Sequence, residues 1–158
     1  ACNQLQLPLV IIGGGRDLDR LKQMAGPTIR FMGRLSDEEG IHYITHCRAF
    51  LFPGEEDFGI TPLEAQACGR PVIAYGAGGA LASIIDGITG VFFREQTVES
   101  LAAALATFDE HLFDPNVIRS HALEFDMPLF RRRILQFVEA KLSEGKTETI
   151  LPANDITR

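Results

Sequence analysis

The stretch FPGEEDFGITPLEAQACGRPVIAYGAGG, Phe52 to Gly79, decides how the chain is to be read. It begins at the end of an apolar run, AFLF (Ala49–Phe52), and passes through an acidic, glycine-bearing loop. The tetrad Thr61–Glu64 then has the form of a capping box, with Pro62 at the favoured first helical position. Gly69 stops that helix, the apolar PVIAY of Pro71–Tyr75 follows, and a second glycine cluster closes the stretch at Gly76–Gly79. A short apolar run bounded by turn residues reads as a buried strand. Strand, glycine loop, helix and strand together make one βαβ unit.

The same alternation extends outward in both directions. Upstream, LPLVIIGGG (Leu7–Gly15) is a strand running into glycines. Leu18, Leu21 and Met24 recur at helical spacing within Asp17–Ala25, which Gly26-Pro27 stops. Ile29–Met32 is a second strand, and the capping box SDEE (Ser36–Glu39) opens a helix that runs to His46. Downstream, Ala80–Asp86 forms a short helix closed by Gly87, and GVFF (Gly90–Phe93) is a fifth strand. Val98–Phe108 is an amphipathic helix, Asp114-Pro115 opens another, and Pro128–Leu142 makes the last. The pattern predicts an α/β fold, a Rossmann-like doubly wound parallel sheet, over residues 1–143. The remainder, 144–158, has no periodicity and is expected to be a disordered tail. Ligands of such sheets bind at the carboxyl ends of the strands, where Gly13–Gly15, Gly54, Gly59 and Gly76–Gly79 all fall.

Bulk properties narrow the function classes. The 158 residues suffice for one domain. A net charge of −6 argues against nucleic acid as the main partner. The three cysteines have neither zinc nor disulfide spacing, and the odd count suits a reducing, cytoplasmic setting. No apolar run reaches the roughly 18 residues of a membrane span, and neither a signal peptide nor an internal repeat is evident. The chain opens without Met, and Ala1–Leu5 reads as the end of a helix. The expectation is a fragment lacking its first strand and most of its first helix, with an uncovered sheet edge that favours self-association.

Several motifs are best read plainly. GGGRDL (Gly13–Leu18) lacks the third glycine of a dinucleotide fingerprint, because Leu18 occupies that position; a tight strand-to-helix turn is the simpler reading. His42 and His46 lie four apart on a helix without a third ligand, so no metal site is expected. Arg131–Arg133 reads as a solvated helix face. Glu56 and Glu64 are different. Capping accounts for Glu64, but not for Glu56 or for Phe58-Gly59 just before the helix. The N–H groups of a helix N-terminus favour an anion such as phosphate. Carboxylates beside it suit hydrogen-bond donors such as sugar hydroxyls. Diphosphate flanked by hydroxyls is the outline of a nucleotide sugar.

PGEEDFGITPLEAQACGRPVIAYGAGG and IIDGITGVFF, preceded in order by VIIGGGRDLDRL, IRFMGRLSDEE and AFLFPG, resemble the family 4 glycosyltransferases with their E-x7-E signature. The resemblance covers Leu7–Phe93. It implies the C-terminal, nucleotide-sugar-binding lobe of a two-lobed GT-B enzyme that retains anomeric configuration. Such an enzyme moves a sugar from a nucleoside diphosphate sugar to an acceptor hydroxyl. By resemblance Glu56 contacts the transferred sugar, while Phe58, Gly59, Ile60 and Thr61 line sugar and diphosphate through backbone amides. Glu64 holds the ribose, and Arg34, Leu35 and Asp37 flank the base. The resemblance implies no cofactor and no essential metal. It implies a saccharide or lipid-linked acceptor held by a second lobe, and a parent protein peripheral at a membrane. The nucleotide and sugar are not readable from these residues; within the family's range GDP-mannose is favoured.

Departures accompany the resemblance. The family's diphosphate-binding Arg and Lys would precede Ala1, so catalysis by these 158 residues alone is not expected. Where the family often carries an acid three residues after its double glycine, this chain has Ala82. Two other classes stay open: a sugar-nucleotide epimerase or phosphorylase of related fold, and a non-enzymatic α/β binding module.

Overall fold

The computed structural model describes residues 1–147, with side chains through Glu144. In chain order the elements are α1 (Cys2–Leu5), β1 (Leu9–Ile12), α2 (Leu18–Met24), β2 (Ile29–Gly33), α3 (Asp37–His46), β3 (Phe50–Phe52) and α4 (Ile60–Ala67). There follow β4 (Val72–Tyr75), α5 (Ala80–Ser83), β5 (Gly90–Phe93), α6 (Val98–Thr107), α7 (Pro115–Ala122) and α8 (Met127–Thr147). The chain divides into two compact units, Ala1–Leu123 and a second from Glu124 onward.

In the first unit every strand pairing is parallel. β1 pairs with β2, and β3, β4 and β5 pair in that order. The sheet therefore comes in two pieces, and β1, β2, β3 and β5 each keep an edge that no described strand occupies. The β1–β2 register slips between Ile11 and Ile12, where Ile12 comes opposite Gly33.

Burial follows this division. Val72, Ile73 and Ala74 of the central strand β4 are almost wholly inaccessible, as expected of a parallel strand covered on both faces. Around them Phe52, Ala65, Ala80 and Ile84 form the core cluster, with Ile44, Phe50 and Phe92 packed against it. β1 is as apolar as β4, yet its residues alternate between half-buried and exposed, and Val10 and Ile12 are exposed. The hydrophobic driving force of this unit is thus concentrated in β3–β4–β5 and the helices on them.

Local signals acted largely as expected. Ser36 caps α3 in a full capping box: its Oγ accepts from Glu39 N at 3.3 Å, and Glu39 Oε2 accepts from Ser36 N at 2.8 Å. Those bonds to Ser36 hold the Glu39 carboxyl below its ordinary pKa. Asp114 caps α7, with Pro115 just inside the helix. The second expected capping box does not form. Helix α4 begins at Ile60, one residue before Thr61, and its N-cap is Gly59 at φ 78° with no side-chain cap. Thr61 is already helical there, so its backbone is not placed as a cap residue and Glu64 has no N-cap amide to reach.

In the second unit, α8 is longer than expected, and residues 144–147 of the supposed tail belong to its end. The rest of that tail lies outside the described residues. Arg133 donates to the Glu124 carbonyl at 3.2 Å and forms a loose ion pair with its carboxylate; both side chains are exposed, so the pair contributes little.

Candidate functional site

The carboxyl end of β3 passes through Pro53-Gly54 into the acidic run Glu55-Glu56-Asp57, then Phe58-Gly59 and α4. Residues Glu55–Thr61 line one open depression of about 710 Å³. It unites Glu56, Phe58, Gly59, Ile60 and Thr61, five of the residues singled out from sequence. Glu55 and Asp57, not singled out, belong to it as well.

Gly59 sets the geometry. Its left-handed backbone turns the loop into the helix, and it is packed so tightly that a Cβ there would lie 2.9 Å from Phe52 Cζ. Only glycine combines that conformation with that contact without strain. Because Gly59 has no side chain, no cap covers the end of α4, and its first turn carries no acid. Ile60 and Thr61 supply first-turn N–H groups, Pro62 supplies none, and the partial positive charge of the helix end adds to them. The site therefore joins an uncapped, electropositive helix end to three exposed carboxylates. The first suits an anion, the second a donor of hydrogen bonds.

The remaining expected residues lie elsewhere. Glu64 is exposed on α4, past the residues that line the depression. Arg34, Leu35 and Asp37 follow the Gly33 turn (φ 69°) at the carboxyl end of β2, with Arg34 and Asp37 exposed and Leu35 half-buried. None of these four lines the depression.

A buried polar network supports the loop. Gln66 is fully buried on α4, and its Nε2 donates to the Ser83 carbonyl at 2.8 Å. Ser83 Oγ donates to the Gly79 carbonyl at 3.1 Å, and Gly79 N donates to the Glu56 carbonyl at 2.7 Å. Sequence reasoning did not identify Gln66 and Ser83 as supports. The only available sign was a glutamine and a serine at positions where the surrounding pattern is small and apolar.

His42 and His46 lie with ring centroids 4.3 Å apart and ring planes tilted by 37°, and one nitrogen of His46 meets the His42 carbonyl at 2.7 Å. Among the described residues no cluster of three or more His, Cys, Asp or Glu is arranged for a metal ion. No described helix is long and apolar enough to cross a membrane.

Parallel strands joined through helices, with an anion-favouring helix end on the carboxyl edge, define an α/β domain of the doubly wound class. The comparisons with known proteins narrow this. Residues 2–111 match the family described as Glycosyl transferases group 1, and the chain belongs to that family. A GDP-mannose-dependent monoacylated alpha-(1-6)-phosphatidylinositol monomannoside mannosyltransferase of Corynebacterium glutamicum is 34% identical over 118 residues, 68% of this chain and 30% of that protein. A phosphatidyl-myo-inositol mannosyltransferase of Propionibacterium freudenreichii is 34% identical over 117 residues, 72% of this chain and 28% of that protein. The chain thus spans under a third of the length of these relatives. Among solved structures, sucrose-phosphate synthase of Thermosynechococcus elongatus matches with a TM-score of 0.74 at 23% identity, covering 86% of this chain and 39% of that one. Anabaena HepE in complex with UDP-glucose matches at 0.67 and 21% identity, covering 85% and 41%. The fold is that of a Rossmann-like GT-B lobe.

Proposed function

We propose that this chain is the donor-binding lobe of a retaining glycosyltransferase that moves a sugar from a nucleoside diphosphate sugar to an acceptor hydroxyl. The observation that carries the reading is the depression Glu55–Thr61, where carboxylates and an uncapped helix end meet in a member of the group 1 family. In this reading the diphosphate lies against the amides opening α4, and its charge is met by the helix end rather than by a metal ion. Glu56 accepts hydrogen bonds from the transferred sugar. Glu64, one turn further along, takes the ribose hydroxyls, and the segment Arg34–Asp37 flanks the base. The acceptor, a saccharide or a lipid-linked one, is held by a second lobe. GDP-mannose is the favoured donor because one relative is named as dependent on it; UDP-glucose is the alternative, bound in a structure of like fold.

The test is calorimetric titration of GDP-mannose, UDP-glucose, GDP and UDP into the full-length protein that carries this chain. Glu56→Gln should weaken the preferred sugar nucleotide by about 1–3 kcal/mol and leave its bare nucleoside diphosphate unchanged. Equal loss for both ligands, or no binding of either sugar nucleotide by the wild type, overturns the reading.

A further inference from the structure

We propose that Gly78 and Gly79, on the turn after β4, are positioning residues that set the height of the acidic loop. This rests on the donor-site reading above and adds to it how the Glu56 contact is held in place. The two segments are more than twenty positions apart in sequence, yet they meet backbone to backbone. Gly79 N donates to the Glu56 carbonyl at 2.7 Å. A Cβ on Gly79 would fall 2.2 Å from Phe58 Cα and 2.4 Å from the Phe58 carbonyl oxygen. A Cβ on Gly78 would fall 2.5 Å from the Glu56 carbonyl oxygen and 3.2 Å from Glu55 Cγ. The contacts with the Phe58 and Glu56 backbone are closer than real Cβ atoms show, so the loop lies where only a glycine pair lets it lie.

The glycine turn is itself held on the core side. The Gly79 carbonyl accepts from Ser83 Oγ at 3.1 Å, from Ala82 N at 3.0 Å and from Ser83 N at 3.2 Å. Ser83 is wholly buried and bound to Gln66 of α4. Helix α4, the Ser83 region, the glycine turn and the acidic loop therefore form a closed ring of contacts. Gly79, Ser83 and Gln66 are buried, whereas Glu55 to Phe58 are exposed, so the acidic loop yields when the turn is enlarged. A side chain at position 78 would push the Glu55–Glu56 backbone away from the turn while leaving the first turn of α4 seated on Phe52. The sugar contact would be lost and the diphosphate contact kept.

The test compares Gly78→Ala with Gly87→Ala in the full-length protein. Gly78 has φ 54° and Gly87 has φ 73°, so both substitutions carry left-handed backbone strain, but a Cβ at Gly87 meets nothing within 4 Å. Titrations use GDP-mannose and UDP-glucose, each against its bare diphosphate. Gly78→Ala is expected to weaken the preferred sugar nucleotide roughly tenfold relative to Gly87→Ala, with the bare diphosphate within about twofold. Unchanged affinity in Gly78→Ala, equal loss for both ligands, or the same loss in Gly87→Ala overturns the inference. If Glu56→Gln weakens the sugar nucleotide while Gly78→Ala does not, the positioning role fails and the donor-site reading stands. If the wild type binds no sugar nucleotide, both fall. A second measurement needs no variant: amide hydrogen exchange at Gly79 should be slow and slow further when the sugar nucleotide binds. Exchange at the rate of an unbonded loop amide in the complex refutes the proposal.

Discussion

Replacing Gly59 with alanine tests the feature that turns the acidic loop into α4. Two costs add. The residue sits at φ 78°, ψ 88°, and an L-residue held in the left-handed region costs about 1–2 kcal/mol. The new methyl would also lie 2.9 Å from Phe52 Cζ and 3.2 Å from Cε1. Phe52 is 7% exposed and part of the core cluster, so its ring has nowhere to retreat. Overpacking of that kind adds about 1–3 kcal/mol. The sum is about 2–5 kcal/mol of lost stability, read as a fall in the urea midpoint at constant slope. Gly87→Ala supplies the reference, with the same sign of φ and no contact, and should lose only the first part. A Phe52→Leu background should remove the second part, giving a coupling energy of about 1–3 kcal/mol in a double-mutant cycle. The reasoning is refuted if Gly59→Ala and Gly87→Ala cost the same, or if Phe52→Leu leaves the cost of Gly59→Ala unchanged.

Two further outcomes are expected. Because the Thr61–Glu64 capping box does not form, Glu64→Gln should leave the thermal midpoint unchanged while weakening nucleoside diphosphate binding by about 1–3 kcal/mol; calorimetry showing no loss of affinity removes Glu64 from the ribose. Arg48 holds Glu110 in a two-pronged contact that lowers its carboxyl to about 2 from an ordinary 4.5. A depressed carboxyl stabilises the folded state above its unfolded pKa and loses that contribution as pH falls through the folded one. Wild type should therefore be more stable than Glu110→Gln at neutral pH and lose the advantage between about 4.5 and about 2; a constant difference across that window in thermal melts contradicts the pairing.

The order of strands and helices was legible because it rests on local physics: apolar runs, helical spacing, and the glycines and prolines that end them. The capping boxes show the limit of that physics. Both tetrads satisfy the same four-residue pattern, but only Ser36–Glu39 forms the box. The outcome at Thr61 was decided by Gly59, whose close fit against Phe52 belongs to tertiary packing. The grouping of Glu56 with Phe58, Gly59, Ile60 and Thr61 was readable since one loop carries them all.

What the amino-acid sequence determined by itself was the alternation, the carboxyl-edge position of the glycines, and the acidic loop before a helix. Each depends on residues within a few positions of one another, so propensity and spacing carry the information. Only the tertiary structure decided that β1 pairs with β2 apart from β3–β4–β5, that Arg48 meets Glu110, and that Gly78 and Gly79 carry the backbone of Glu56 and Phe58. These contacts join segments distant along the chain. They are selected by how the whole core closes around Phe52, Val72 and Ala74, a choice that no local stretch encodes.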